Sequence, residues 1–390
     1  MYKSRENWLS DNKCGTEAEN ELLQRCYDTI MANVCEGSQF PWAPYRCICP
    51  GTGNFDGIWN WDSAFHSIGV SRWDTELAKE GLLGFMKFQK ADGMFPDVIW
   101  NSGEIEDRFT KPPVLAAASA IVYKRCGDKE FLELVYPHLT SAESFWIKNR
   151  YADGMFYYDS EDKGEKDYLK HVMFESGWDN SVRWDKTITE LWPIDLNCFA
   201  VAEYRALSFI AGELGMAEDA KKWTEKAQKI TELINEKLWD DKNKYYADAN
   251  RFTGEISDVL SPASFMPLFI NIASKEQAAA MAKLAETRFC KKMPTATYDN
   301  PGYSNDYWRG PMWMNVAFFA ARGLKNYGFE SADKIRSFVI EMCNGIKSGI
   351  YENYDSINKK GLCCDHFSWS CVFIIEFILN MEDEICVEWC

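Results

Sequence analysis

Histidine is scarce in this chain, with 4 in 390 residues. Histidine-rich metal centres are therefore disfavoured from the start. Fourteen cysteines are present but scattered, and the adjacent loop pair Cys363-Cys364 has no second pair to complete a zinc site. The expectation is no metal and no cofactor. Positive charge is also short: 43 Lys+Arg stand against 59 Asp+Glu, a net of −16. Nucleic-acid binding needs basic stripes, and none is visible. No apolar run approaches the roughly 18 residues of a membrane span, so no membrane partner is expected. The first twenty residues lack the apolar stretch of a signal peptide, which points to the cytoplasm and to reduced thiols. No GxxxxGK[ST], HExxH or GxSxG pattern occurs. Strand-type alternation is rare.

Helical periodicity and tryptophan are what the sequence does have. Twelve helices are predicted near 17–35, 61–71, 74–89, 113–126, 129–149, 193–214, 217–238, 260–271, 274–288, 310–326, 329–346 and 367–381. In the seventh, Ala220, Trp223, Ala227, Ile230, Ile234 and Leu238 recur at spacings of three and four. Connections after the even-numbered helices are tight, as at Arg72-Trp73, Gly127-Asp128, Gly215-Met216 and Tyr327-Gly328. Those after the odd-numbered helices are long, roughly 20 to 45 residues, and long ordered loops are usually functional. Strict alternation of short and long makes successive helices antiparallel and gathers every long loop at one end. Six such hairpins close into an all-α (α/α)6 barrel. No linker or composition shift divides the chain, so one domain is expected over 1–390.

The long loops carry the chemistry. The first leads into Asn54-Phe55-Asp56-Gly57-Ile58-Trp59-Asn60-Trp61-Asp62. The second opens with Gln89, Asp92 and Gly93 and ends Lys111-Pro112-Pro113. The third contains Glu175-Ser176-Gly177-Trp178-Asp179-Asn180-Ser181 and then Arg183. The fifth ends Tyr307-Trp308-Arg309-Gly310-Pro311-Met312-Trp313. The sixth holds Tyr351-Glu352-Asn353-Tyr354-Asp355 and then His366-Phe367-Ser368-Trp369. Five of the six loops thus join tryptophan to carboxylates, amides or arginine at one rim. Aromatic faces stack on the C–H faces of sugars, while carboxylates and arginine bind hydroxyl pairs. A small carbohydrate is the expected ligand.

Acetal hydrolysis needs two carboxyl groups across the scissile bond, one protonated and one ionised. Burial beside an aromatic ring favours the protonated form. Asp179 follows Trp178 in a Gly-Trp-Asp-Asn turn and is the acid candidate. Glu352 is the candidate base, with Asp355 on the same loop as a competitor. Asp62 reads equally as a helix cap. Arg309 reads as a sugar donor or a loop brace, and His66 and His366 as ligands or structural histidines.

Trp61-Asp62-Ser63-Ala64-Phe65-His66, Phe88-Gln89 with Asp92-Gly93-Met94, Glu175 to Ser181, Tyr307 to Trp313, Tyr351-Glu352-Asn353-Tyr354 and Phe367-Ser368-Trp369 occur together and in order. In this the chain resembles the inverting glycosidases of glycoside hydrolase family 63, and more distantly the trehalases. The resemblance implies an (α/α)6 barrel, Asp179 as general acid and Glu352 as general base. It also implies that Phe55, Trp61, Asp62, Trp308 and Arg309 line the sugar pocket. The wider set of candidate contacts is Gln89, Asp92, Gly93, Lys111, Trp178, Asn180, Arg183, Tyr307, Gly310, Trp313, His366, Phe367 and Trp369.

The chain departs from the family in several places. Lys111 stands where the family often has Gln before the Pro-Pro pair. Asn54 stands where trehalases carry Arg, and the Arg/Glu-rich segment before the catalytic Asp of trehalases is absent. The accessory β-domain of processing glucosidases is missing too. The expected function is inverting, exo-acting hydrolysis of a terminal α-glucosyl or α-mannosyl unit from a small glycoside. Glucosylglycerate or mannosylglycerate hydrolysis is an alternative, with Lys111 and Arg183 as readers of the acceptor carboxylate. Against that, Lys111 has Asp107 and solvent as other partners. Sugar epimerisation and non-catalytic sugar binding are further alternatives. The first would need histidine bases, and the second would be expected to have lost Asp179 or Glu352.

Overall fold

The computed structural model describes residues 2–379. Among these are fourteen helices: α1 (Arg5–Asp11), α2 (Glu17–Ala32), α3 (Asn60–Val70), α4 (Thr75–Met86), α5 (Leu115–Cys126), α6 (Lys129–Asn149), α7 (Tyr168–Ser176), α8 (Ile194–Glu213), α9 (Ala217–Lys237), α10 (Met266–Phe269), α11 (Lys275–Thr287), α12 (Met314–Asn326), α13 (Ser331–Gly345) and α14 (Ser368–Leu379). Helices α3, α5, α8, α10, α12 and α14 each pack on the next, and α14 returns to α3. That closed inner ring, with α2, α4, α6, α9, α11 and α13 outside it, is an (α/α)6 barrel.

Burial explains which helices take which ring. All 11 residues of α3 are buried, as are almost every residue of α12 and α14 and most of α8. A helix apolar on every side must lie inside. By contrast α9 buries only Trp223, Ala227, Ile230 and Ile234, the stripe of a helix with one wet face. The tight inner-to-outer turns have local causes. Gly127 ends α5 at φ 68°, and the Asp128 carboxylate accepts from the Phe131 N–H to open α6. Thr16 and Glu19 form a reciprocal capping box on α2.

All twelve expected helices have counterparts, with differences. The one expected near 260–271 is a 3-10 turn, Pro262–Phe265, followed by the four-residue α10. Pro262 and Pro267 remove backbone donors and break the longer run. Helix α12 starts four residues later than expected, after Gly310 and Pro311. The last two positions expected in the final helix, and the ends of the expected 1–390 domain, lie outside the described residues. Helices α1 and α7 were not anticipated, and both sit in segments read as irregular. The long connections also contain short antiparallel ladders. Gly57–Trp59, Val98–Trp100 and Ile105–Glu106 form three strands, with Ile58 opposite Ile99 and Val98 opposite Glu106. Asn353–Asp355 pairs with Lys360–Leu362. No helix of the described residues is long and apolar enough to cross a membrane.

The short helix α7 is anchored by a buried ion pair. Arg150 Nε lies 2.9 Å from Glu175 Oε1, and Arg150 Nη2 lies 3.1 Å from Oε2. Glu175 also accepts from the Asp159 and Thr110 N–H groups at 3.0 and 3.3 Å. Three segments are thereby fixed just before the Gly177-Trp178-Asp179 turn. Removing one partner leaves a buried charge unmatched, which costs about 3–5 kcal/mol. Arg150→Met is expected to lower stability by about that amount in urea unfolding. Adding Glu175→Leu to it should recover part of the loss. An unchanged midpoint in the single variant would contradict this role.

Candidate active site

The inner helices all begin at the end of the barrel where the long connections lie. Asp62 is in the first turn of α3, Trp313 is the residue before α12, and Trp369 is in the first turn of α14. Helix N-termini carry partial positive charge, which favours carboxylates placed there. One open pocket, with an empty volume of about 430 Å³, lies at this end. It is lined by Pro50, Phe55, Trp59, Trp61, Asp62, Lys111, Gly177, Asp179, Tyr307, Trp308, Trp313, Glu352, Phe367 and Trp369. The volume is at the small-ligand end of binding cavities. Five of the six long connections contribute, those named by their motifs.

One wall is aromatic. Trp308 stacks on Trp313 with centroids 3.9 Å apart and planes 10° from parallel. Trp369 continues it, 5.5 Å from Trp313 and 5.3 Å from Trp61. Phe55 meets Phe367 edge-on at 5.3 Å. Such a wall suits the apolar face of a pyranose.

The polar side is a cluster of buried acids around one ammonium. Burial pushes the Asp62 carboxyl up to about 8, with Lys111 opposing the rise. Burial pushes Asp97 up to about 6, again opposed by Lys111. Lys111 Nζ is 3.3 Å from Asp97 Oδ1 and also donates to the Phe174 carbonyl. Asp179 is raised by burial and lowered by Lys111 and by its own backbone N–H. Glu352 is raised by burial, but it accepts from Tyr307 Oη at 2.7 Å and from the Cys364 N–H at 3.3 Å. Donors favour the ionised form. Burial thus raises both carboxyl groups, but the opposing groups differ: a phenol and a backbone N–H at Glu352, and the Lys111 charge and its own N–H at Asp179.

Eleven of the expected site residues line the pocket: Phe55, Trp61, Asp62, Lys111, Asp179, Tyr307, Trp308, Trp313, Glu352, Phe367 and Trp369. The other nine lie elsewhere, each for an identifiable reason. Gln89 is held by His138 and donates to the Gly93 carbonyl. Asp92 accepts from the Met94 N–H in a turn. Gly93, at φ 99°, passes so close to helix α6 that a Cβ would sit 2.2 Å from the Ser141 carbonyl oxygen. Trp178 is buried behind the pocket against Trp308 and the Arg183 guanidinium. Arg183 is buried in bidentate bonds to Asp195 and Asp248. Asn180 accepts from the Trp308 N–H and donates to Asp306, tying two loops together. Arg309 is forked onto Asp185 at 2.7 Å on both nitrogens, the brace reading of that residue. Gly310 gives way to the Ser304 carbonyl. His366 is exposed beside Asp365, at φ 52°.

The competing acids and histidine resolve likewise. Asp355 accepts from the Ile357 and Asn358 N–H groups and from the Asn358 and Asn305 amides. Burial would raise its carboxyl, but these donors outweigh it and hold it below the usual range. It is a turn residue outside the pocket. His66 bonds Ser368 Oγ at 2.8 Å, joining α3 to α14, and burial holds it down to about 3. Asp62 is no cap, since the residue before α3 is Trp59 and makes no side-chain cap.

Four residues were missed. Trp59 and Gly177 stood inside the quoted motifs, and Pro50 preceded the first of them. Asp97 had no local signal, because only the pairing of Val98–Trp100 with Gly57–Trp59 carries it to Lys111.

A closed helical double ring, with an aromatic wall and two carboxyl groups lining one pocket at its loop end, defines a glycoside hydrolase of the (α/α)6 class. Residues 56–370 match the mannosylglycerate hydrolase MGH1-like glycoside hydrolase domain, and the chain belongs to that family. It is 25% identical to the mannosylglycerate hydrolase of Rubrobacter radiotolerans, over 85% of this chain and 92% of the relative. It is 23% identical to mannosylglycerate hydrolase MGH1 of Selaginella moellendorffii, over 96% and 90%. The fold matches the GH63 mannosylglycerate hydrolase from Thermus thermophilus, solved with Tris and D-glycerate, at TM-score 0.76 and 21% identity, over 91% of this chain and 99% of the other. Neutral trehalase Nth1 from Saccharomyces cerevisiae matches at TM-score 0.70 and 18% identity, over 87% and 74%.

Two outcomes test this geometry. Tyr307→Phe removes a donor from the Glu352 anion, so its carboxyl should titrate higher. The low-pH limb of kcat/KM is expected to move up by about half a unit to one unit. An unmoved limb would uncouple Tyr307 from Glu352. Gly177 sits at φ 73°, and a Cβ there would lie 2.3 Å from Trp61 Cη2. Gly177→Ala is therefore expected to cut kcat/KM by at least about tenfold through displacement of Trp61 and the Asp179 turn. Full activity in that variant would show the turn to be tolerant.

Proposed function

We propose that the protein hydrolyses the bond between a terminal α-linked glucosyl or mannosyl unit and a small acceptor, with inversion at the anomeric carbon. Asp179 gives its proton to the leaving oxygen as the glycosidic bond breaks. Glu352 takes a proton from a water that attacks the opposite face of the sugar. The observation that carries this reading is the contrast across one pocket. Burial raises both carboxyls, but Glu352 accepts from Tyr307 Oη and the Cys364 N–H, donors that favour its anion, whereas the rise at Asp179 is opposed by the Lys111 charge and its own N–H. Asp62, at the start of α3, has the position and the free acceptors to bind sugar hydroxyls.

The relatives' names favour a glycosylglycerate as substrate, and that is the first acceptor class to test. A neutral acceptor is the second reading, and one observation favours it. The cations near the site are already engaged: Lys111 with Asp97, Arg183 with Asp195 and Asp248, and Arg309 with Asp185.

The test is a panel of glucosylglycerate, mannosylglycerate, trehalose, kojibiose and nigerose, with the first-formed anomer followed by NMR. A β-configured sugar should appear first. A first-formed α-anomer would sink the assignment of roles. Asp179→Asn is expected to lower kcat by a factor on the order of 10²–10⁴ while sparing sugar binding. Glu352→Gln should be impaired whatever the leaving group.

A further inference from the structure

Lys111 occupies a place that the proposed mechanism does not use. Its ammonium is buried at the pocket wall, 3.3 Å from Asp97 Oδ1, and it donates to the Phe174 carbonyl at the end of α7. Its other side rests over the Phe109 ring at 5.4 Å. The Asp97 and Phe174 contacts come from two other segments and engage two of the three donors of the ammonium. Asp62 and Asp179 line the same pocket. Lys111 also borders a smaller cavity behind it that includes Glu143 on α6 and Glu203 on α8.

We propose that Lys111 is a positioning residue: a fixed counter-ion for Asp97 behind the pocket wall and for Asp62 and Asp179 that line it, which governs the protonation of Asp179 rather than reading the acceptor. The proposal rests on the assignment of Asp179 as the acid. Without a cation the three aspartates would be forced further toward neutrality, and Asp62, already pushed up to about 8, would accept from sugar hydroxyls more weakly still. Lys111 is the principal charge opposing that drift at Asp62, Asp97 and Asp179 alike. It is not among the groups that act on Glu352, whose titration is governed by burial, Tyr307, the Cys364 N–H and Asp179. The other charged groups facing this cluster are Glu106, which raises Asp97, and the pair Glu143 and Glu203. Burial pushes those last two up to about 8 and about 7, so they contribute little negative charge near neutral pH.

The signs follow from electrostatics. Without the cation the anion of Asp179 is less stable, so Asp179 keeps its proton to higher pH. Without Asp97 the cation is unmatched, and Asp179 gives up its proton at lower pH. Lys111→Gln removes the charge and keeps a polar N–H group on a side chain one bond shorter. Measured as kcat/KM against pH, with the substrate cleaved fastest in the panel above, it is expected to move the high-pH limb up by about one unit. The low-pH limb should stay in place, and the ratio of glycerate to neutral-glycoside cleavage should not change. Asp97→Asn is expected to move the high-pH limb the opposite way, and it decides the matter if Lys111→Gln does not fold. A ¹³C-carboxyl titration of labelled aspartate, with Asp179→Asn to assign the resonance, should show the same two displacements without turnover.

Unmoved limbs with KM raised only for glycerate substrates would overturn the proposal and make Lys111 an acceptor contact. Loss of kcat at every pH with both limbs in place would reduce it to a structural residue. If Asp179→Asn retains full activity, it is the catalytic assignment that fails. If Asp179→Asn is inactive but Lys111→Gln leaves the limb unmoved, only the Lys111 proposal fails.

Discussion

Removing carboxyl groups from water is the constraint around which this molecule is arranged. Asp62, Asp97 and Glu352 lie buried and Asp179 half-buried at one end of the barrel, and each is driven toward its neutral form by desolvation. The compensations differ from acid to acid. Asp97 has the Lys111 ammonium, Glu352 has a phenol and a backbone N–H, and Asp62 has the start of α3. Lys111 also opposes the rise at Asp62 and Asp179. The same burial that costs stability therefore shifts both Asp179 and Glu352 upward, against different opposing groups.

The barrel makes this arrangement possible because its inner helices all start at the same end. Their uniform burial fixes them tightly, and residues at their first turns inherit that rigidity. Trp61, Asp62, Trp313 and Trp369 are placed by helices, not by loops. The loops that supply Asp179 and Lys111 are themselves stapled by buried charge. Arg150 and Glu175 bind the approach to Asp179 and the N–H of Thr110, next to Lys111. Arg183 with Asp195 and Asp248 holds the segment that follows. Arginines that read in sequence as sugar donors turn out to be braces, because a guanidinium beside several acids is most stable when its fork is filled.

Much of the site was legible. Trp61-Asp62, Gly177-Trp178-Asp179 and the Tyr351-Glu352 stretch announced an aromatic and acidic rim, and eleven of the named residues meet in one pocket. Several candidates do not line it. Asn180, Arg309 and His366 sit in the same motifs as lining residues, but motif membership does not say which way a side chain points. Trp178 and Asp179 are adjacent, yet only Asp179 faces the pocket. Asp97 shows the reverse case, a residue without any motif that a strand pairing delivers to the centre of the charge cluster.

The sequence alone determined the helical hairpins, because apolar spacing at 3.6 residues and Gly-Asp turns are local properties of the chain. The alternation of tight and long connections determined that the long loops gather at one end. Which helices form the inner ring, which arginines are consumed by ion pairs, and which groups oppose the burial of each carboxyl were decided only in three dimensions. Each depends on burial and on charges brought together from distant positions, such as Lys111 beside Asp62 and Tyr307 beside Glu352. Desolvation and Coulomb energy act through space, so no run of neighbouring residues encodes them.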